Sequence, residues 1–156
     1  MTDSKSDQKP IQHLPEFDLS LAPKQLPEKY DYLAPDRSEI RLLASGSHGG
    51  LAHALLPADG VSIAVVHRTV EEIWYCLAGR GEMWRRFSDR ETVDEISLGT
   101  SLTIPCGAHF QFRNTGDEPL EILIATMPPW PGANEAVKVP GKWEATHVVD
   151  QADSIE

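Results

Sequence analysis

The chain has 156 residues, 40% of them hydrophobic, and a formal net charge of −10. That length suits one domain with a sizeable core. The acidic balance excludes the basic face that nucleic acid or an anionic membrane would need. No apolar run approaches the roughly 18 residues of a membrane span, and the opening MTDSKSDQKP has no apolar signal core. The expected compartment is therefore the cytoplasm. Cys76 and Cys106 match no zinc spacing and make no disulfide framework, so both are expected as reduced, packed thiols.

Residues 1–37 carry Pro10, Pro15, Pro23, Pro27 and Pro35. Proline removes backbone donors and interrupts both helices and inner strands. This segment reads as an irregular arm lying on the folded core or on a second subunit, its first residues disordered. From Glu39 the pattern becomes short strands between Gly, Pro, Asp and Ser clusters: EIRLLAS, LAHALL and VSIAVVHR. In VSIAVVHR, Val61, Ile63, Val65 and His67 share one face, and Ser62, Ala64, Val66 and Arg68 the other. A strand over Glu72–Leu77 follows, then a glycine turn at GRG and a hairpin around SDRET. EISLGTSLTIP, HFQFRN and LEILIATM complete the series. Gly79, Gly81, Gly99 and Gly107 fall at turns, where glycine is favoured. No window has helical periodicity, and regular short strands with turn signals indicate a sandwich or barrel. The tail, residues 129–156, begins within MPPWPG and includes VKVPGKWEATHVV; it is expected to pack as an arm over a barrel mouth or an edge strand.

Two stretches carry the chemistry. HRTVEEIWYCLAGRGEM keeps a Glu–six–Gly spacing from Glu72 to Gly79, with His67 upstream. GTSLTIPCGAHFQFRN places Gly99, Pro105, Gly107 and Asn114 in a second spaced set. Together they resemble the two motifs of the cupins, over about residues 39–127. The resemblance implies an all-β, cupin-type double-stranded β-helix (jelly-roll barrel) over 38–128, flanked by the irregular N-terminal arm and the C-terminal tail.

Cupins that hold a metal use two histidines and a glutamate from the first motif and a histidine from the second. Here His67 and Glu72 match, while the other two positions are Val65 and Phe110, with His109 one place early. The resemblance therefore implies either no metal or a divalent Fe, Mn, Ni or Zn ion held by His67, Glu72 and His109. The second case needs a bulge that turns His109 inward. Against it, Leu102, Ile104, Phe110 and Phe112 share parity and make an inward set without any bulge.

The barrel interior should receive Glu72, Trp74 and Cys76 beside Val65 and His67. The candidate pocket is His67, Glu72, Trp74, Arg85, His109 and Gln111. Burial would push Glu72 up and an adjacent His67 would pull it down, so the two could form an acid/base couple or a structural hydrogen bond. An inward Arg85 needs an anion, either Glu72 or a ligand carboxylate; otherwise Arg85 and Arg86 lie on a solvated hairpin. His53 faces in or out, and Gln111 shares a face with His109. The expected function is small-molecule binding around His67 and Glu72. The alternatives are a metal-dependent oxygenase or isomerase, or a non-catalytic structural module. The resemblance also implies a homodimer.

Overall fold

The computed structural model describes residues 21–34 and 38–146. The first residues of the arm, including Pro10 and Pro15, as well as Pro35 and the tail beyond Thr146, lie outside them. Every regular element among the described residues is a strand. In chain order these are β1 (Tyr32–Leu33), β2 (Glu39–Ser45), β3 (Gly50–Leu56), β4 (Val65–His67), β5 (Glu71–Ala78) and β6 (Arg80–Phe87). β7 (Arg90–Ser97), β8 (Ser101–Ile104), β9 (His109–Asn114), β10 (Leu120–Met127) and β11 (Ala136–Lys138) follow. They form two antiparallel sheets, β1-β2-β3-β10-β5-β8 and β11-β4-β9-β6-β7. This is the expected all-β jelly roll.

Period-two patterning decides what faces the space between the sheets. β5 alternates strictly: Glu72, Trp74 and Cys76 are buried, while Glu71, Ile73, Tyr75 and Leu77 are exposed. β10 buries Leu120, Ile122, Ile124 and Thr126. Phe110 and Phe112 enter from β9, Met83 from β6, and Ile96 and Ile104 close the core. β5 passes to β6 through the single residue Gly79 at φ 85°. A side chain there would collide with the Pro119 carbonyl oxygen, so glycine serves both the conformation and the close approach.

Only the end of VSIAVVHR is regular strand, and Ser62 explains why. Its N–H donates to the Phe112 carbonyl (2.9 Å), and its hydroxyl, in place of its own carbonyl, accepts the Phe112 N–H (3.0 Å). The freed Ser62 carbonyl accepts from Gln111 Nε2 at 2.8 Å. A local side-chain acceptor has displaced one rung of the ladder.

Gln111 points away from the core and is nevertheless 1% exposed, because the tail lies over it. Its Nε2 also donates to the Trp143 carbonyl (2.8 Å), and its Oε1 accepts the N–H groups of Lys142 and Trp143 (2.9 Å each). The Trp143 ring in turn covers Arg113, 4.3 Å from the guanidinium carbon to the ring centroid. The tail thus packs on the outside of the second sheet, and β11 extends that sheet beside β4. The described part of the arm is tied to β2, where Arg41 donates to the carbonyls of Pro27 (3.0 Å) and Glu28 (2.9 Å).

Candidate functional site

Three of the expected pocket residues meet between the sheets near one end. β5 carries Glu72 and Trp74 two residues apart on its inner face, and β4 delivers His67 from the facing sheet. The turn after β8 is fastened to this point: the Gly107 N–H donates to the His67 carbonyl at 3.2 Å. Glu72 Oε2 accepts the Trp74 indole N–H at 2.6 Å. Glu72 Oε1 stands 3.8 Å from His67 Nδ1, too far for a hydrogen bond. His67 Nδ1 has no other partner. His67 is 4% and Glu72 5% exposed.

Aromatic rings enclose the pair. Phe110 meets the His67 ring edge to face at 5.0 Å, and Trp130 meets it at 5.1 Å. Trp74 packs edge to face on Phe112 at 4.9 Å and on Phe110 at 6.1 Å. Such contacts are worth about 0.5–1.5 kcal/mol each beyond area burial. They also keep water from the two titratable groups. Burial pushes the Glu72 carboxyl up to about 7, against the pull of the Trp74 N–H. Burial likewise pushes His67 below the ordinary imidazole value, the charge of Glu135 resisting. Both changes favour the neutral forms. At neutral pH this is an uncharged imidazole beside a carboxyl poised to gain or lose a proton, rather than an ion pair.

The other three expected pocket residues are not brought to this pair. β9 pairs with β6 in unbroken register from Asn114 to His109, so the bulge that would turn His109 inward does not form. His109 lies outside, its Nδ1 3.1 Å from Arg86 Nη2. Gln111 shares that outer face and holds the tail. Arg85 is on the inner face of β6 with Met83, but its anion is neither Glu72 nor a ligand. It donates to Asp94 Oδ2 (2.7 Å) and, across to the other sheet, to the Thr103 carbonyl (2.6 Å). His53 is on the outer face of β3, buried, 3.2 Å from Glu121 Oε1. Both cysteines are free, as expected, but only Cys76 is packed; Cys106 is exposed in its turn.

The donor set does not fit a metal ion held by protein side chains. Val65 and Phe110 stand where the family motif implies ligands, and among the described residues His67 and Glu72 are the donors that converge. Among the described residues no three His, Cys, Asp or Glu side chains come together in a metal-binding group. Two donors rarely hold a divalent cation against water.

Two site residues come from segments without strand periodicity. Trp130 belongs to the MPPWPG run, which signals a covering tail but not which residue it covers. Tyr32 sits in the arm; its phenol is pushed up by burial, then by the negative charges of Glu72 and Asp31. Glu135 is a third, structural addition. Its carboxylate accepts the N–H groups of Thr69 and Val70 (2.6 Å each) and the Thr69 hydroxyl (2.9 Å). Burial pushes its carboxyl up, but these donors and His67 together hold it below the usual carboxylate range.

Fold and motifs define a small all-β domain of two facing antiparallel sheets, and comparison with known proteins gives its family. Residues 52–126 match the family described as the cupin domain. The chain is 35% identical over 104 residues to the uncharacterized protein MJ1618 of Methanocaldococcus jannaschii, across 64% of this chain and 80% of that one. The chain belongs to the cupin family. Among solved structures it is similar to BH2720 from Bacillus halodurans (TM-score 0.55, 21% identity, 64% of this chain and 76% of that one). It is also similar to oxalate decarboxylase from Bacillus subtilis (TM-score 0.58, 17% identity), covering 65% of this chain but 28% of that enzyme. A third likeness is to the capsular polysaccharide assembling protein CapF from Staphylococcus aureus (TM-score 0.58, 17% identity; 68% and 33%). At these identities the structures share the fold. No helix among the described residues is long and apolar enough to cross a membrane.

Proposed function

We propose that this cupin binds a small organic molecule at His67 and Glu72 without a metal ion, and that Glu72 exchanges a proton with it. The carrying observation is the buried Glu72–His67 pair, in which His67 Nδ1 is unpartnered and both groups are driven toward their neutral forms. A neutral carboxyl can donate one hydrogen bond and a neutral imidazole can accept one, so together they present complementary polar points in an apolar wall. The metal-dependent reading loses ground because Val65 and Phe110 offer apolar surface where donors are needed.

The test is a thermal-shift screen of chelator-treated protein against small organic acids and aromatic compounds. At least one compound is expected to raise the melting temperature of the wild type and not of His67→Ala. A ligand at 100 times its dissociation constant adds about 2.7 kcal/mol to the folded state. Near one transition-metal ion per chain in untreated protein, lost in His67→Ala, would overturn the metal-free reading.

We further read the protein as a cytoplasmic homodimer joined through the outer face of the first sheet. Register aligns Leu51, Ala125 and Ile73 in one row across β3, β10 and β5. Ile73, Tyr75 and Leu77 are 46%, 43% and 40% exposed, a concentration of apolar side chains that monomers seldom leave open. Light scattering should give twice the 17.3 kDa chain mass, and Tyr75→Arg should return the single mass. A monomeric wild type at micromolar concentration would end this reading.

A further inference from the structure

We infer that Trp130 is a built-in plug of the His67–Glu72 site, and that the site's ligand is a flat aromatic molecule that displaces this indole and takes its place against His67. The inference rests on the ligand-binding reading of that site. It begins from an imbalance in burial. His67 and Glu72 are almost wholly enclosed, yet the ring covering His67 is itself 36% exposed. Trp130 is therefore the outermost layer of the site, one side against the imidazole and the other toward solvent.

Its segment is fastened at both ends and free between. The ladder of β10 ends at Met127, opposite Glu71. At the other side Glu135 grips Thr69 and Val70 through its carboxylate, and its carbonyl accepts the Arg68 N–H at 3.1 Å. Between them lie Pro128, Pro129, Trp130 and Pro131, three of which have no N–H to donate. No hydrogen bond holds any of these four residues to the barrel; the Gly132 carbonyl, accepting from Glu135 at 3.2 Å, is the next anchored point. Trp130 is thus held by ring contact, and the Glu135 clamp would keep the segment's far end in place while the ring swings out.

The space the indole leaves has a definite chemistry. Its inner wall is the His67 ring, backed by Phe110 and Trp74 and arranged edge to face. Such a wall favours another aromatic ring over an aliphatic chain. His67 Nδ1, 3.8 Å from Glu72 Oε1, has no hydrogen-bond partner, so a ring whose N–H or O–H reached it would gain a bond that Trp130 does not make.

A plug that competes with the ligand lowers apparent affinity by the fraction of time it is out. With the open state populated at about 10% or less, removing the plug should tighten binding about tenfold or more. The experiment titrates indole into the wild type and Trp130→Gly by calorimetry. In parallel, wild type labelled with 5-fluorotryptophan is followed by fluorine NMR, the Trp130 signal being assigned by its loss in Trp130→Phe. Expected are affinity about tenfold or more higher in Trp130→Gly, and a wild-type Trp130 resonance that moves toward its solvent-exposed position as indole saturates. Equal affinities, or a Trp130 resonance unmoved at saturation, would overturn the proposal, as would absence of indole binding to folded Trp130→Gly. Should that variant not fold, the fluorine result on the wild type decides alone. A compound from the screen that binds in a His67-dependent manner without moving Trp130 would defeat the plug and leave the binding site standing. Loss of His67 dependence would defeat the binding site instead.

Discussion

Trp74→Ala is expected to lower the stability of the fold by about 3–5 kcal/mol, the usual cost of truncating a large buried aromatic. The ring is 3% exposed and lies against both Phe110 and Phe112. Its removal leaves a cavity between sheets whose backbones are held by ladders on both sides, so collapse around the gap is limited. The substitution also strips Glu72 Oε2 of its indole donor, leaving a buried acceptor unsatisfied. Urea unfolding followed by fluorescence and circular dichroism measures the loss. A change below about 1 kcal/mol would mean that the ring is not part of the cooperative core. Trp74→Phe separates the two contributions. It keeps a ring and deletes the N–H, so it should cost less and move the Glu72 carboxyl further above its value of about 7. Carbon NMR of glutamate-labelled protein reads that directly.

Glu72→Gln should stabilise the protein at pH 8, which is unusual for a buried polar replacement. Burial raises the Glu72 carboxyl from 4.5 to about 7 in the folded state. The sign follows from proton binding. Below pH 4.5 both folded and unfolded chains carry the proton, and the group is neutral at no cost. Between 4.5 and about 7 the unfolded chain releases it while the folded chain retains it, so stability falls as pH rises. Above about 7 the fall is complete and amounts to about 3 kcal/mol. Glutamine cannot ionise, keeps an oxygen for the Trp74 N–H, and removes that loss.

Among the described residues His67 stands 3.8 Å from Glu72, the charge of Glu72 reaches Tyr32, and Glu135 acts on His67. His67 works in the opposite direction, since its lowered value makes the folded state lose stability as pH falls. Both variants retain all three, so the difference between wild type and Glu72→Gln at each pH isolates Glu72. That difference should be smallest near pH 4 and reach a plateau above pH 7. A flat difference would show that Glu72 is solvated and charged.

The barrel strands are legible because they carry their own periodicity. β5 alternates strictly, and Leu102, Ile104, Phe110 and Phe112 share the parity that the structure places between the sheets. The same parity puts His109 outside, and the unbroken β9–β6 register leaves no residue to shift it. His67, Glu72 and Trp74 could be placed together because strand alternation and motif spacing agree on them. Arg85 was readable as inward-facing only if an anion could be found, and its partner, Asp94, lies on the neighbouring strand of the hairpin. Spacing alone could not single out Asp94 among several acidic residues nearby. Gln111 looked like a companion of His109, and it does share that face. Its burial comes from the backbone of residues 142–143, more than 30 positions away along the chain.

Features that follow from local rules are legible in the chain alone. Alternating apolar residues define strands and their inner faces, glycines such as Gly79 define tight crossings, and the loss of donors at 65 and 110 is visible without coordinates. Features carried by segments that have no period of their own emerge only once the chain is folded. The MPPWPG stretch has neither repeat nor ladder, so nothing local says where Trp130 comes to rest. It comes to rest on the His67 ring, where contact between the two rings removes apolar surface from water. Burial also raises the Glu72 carboxyl. Its protonation near neutral pH is thus a property of the assembled barrel end, set by solvent exclusion rather than by any neighbour in the chain.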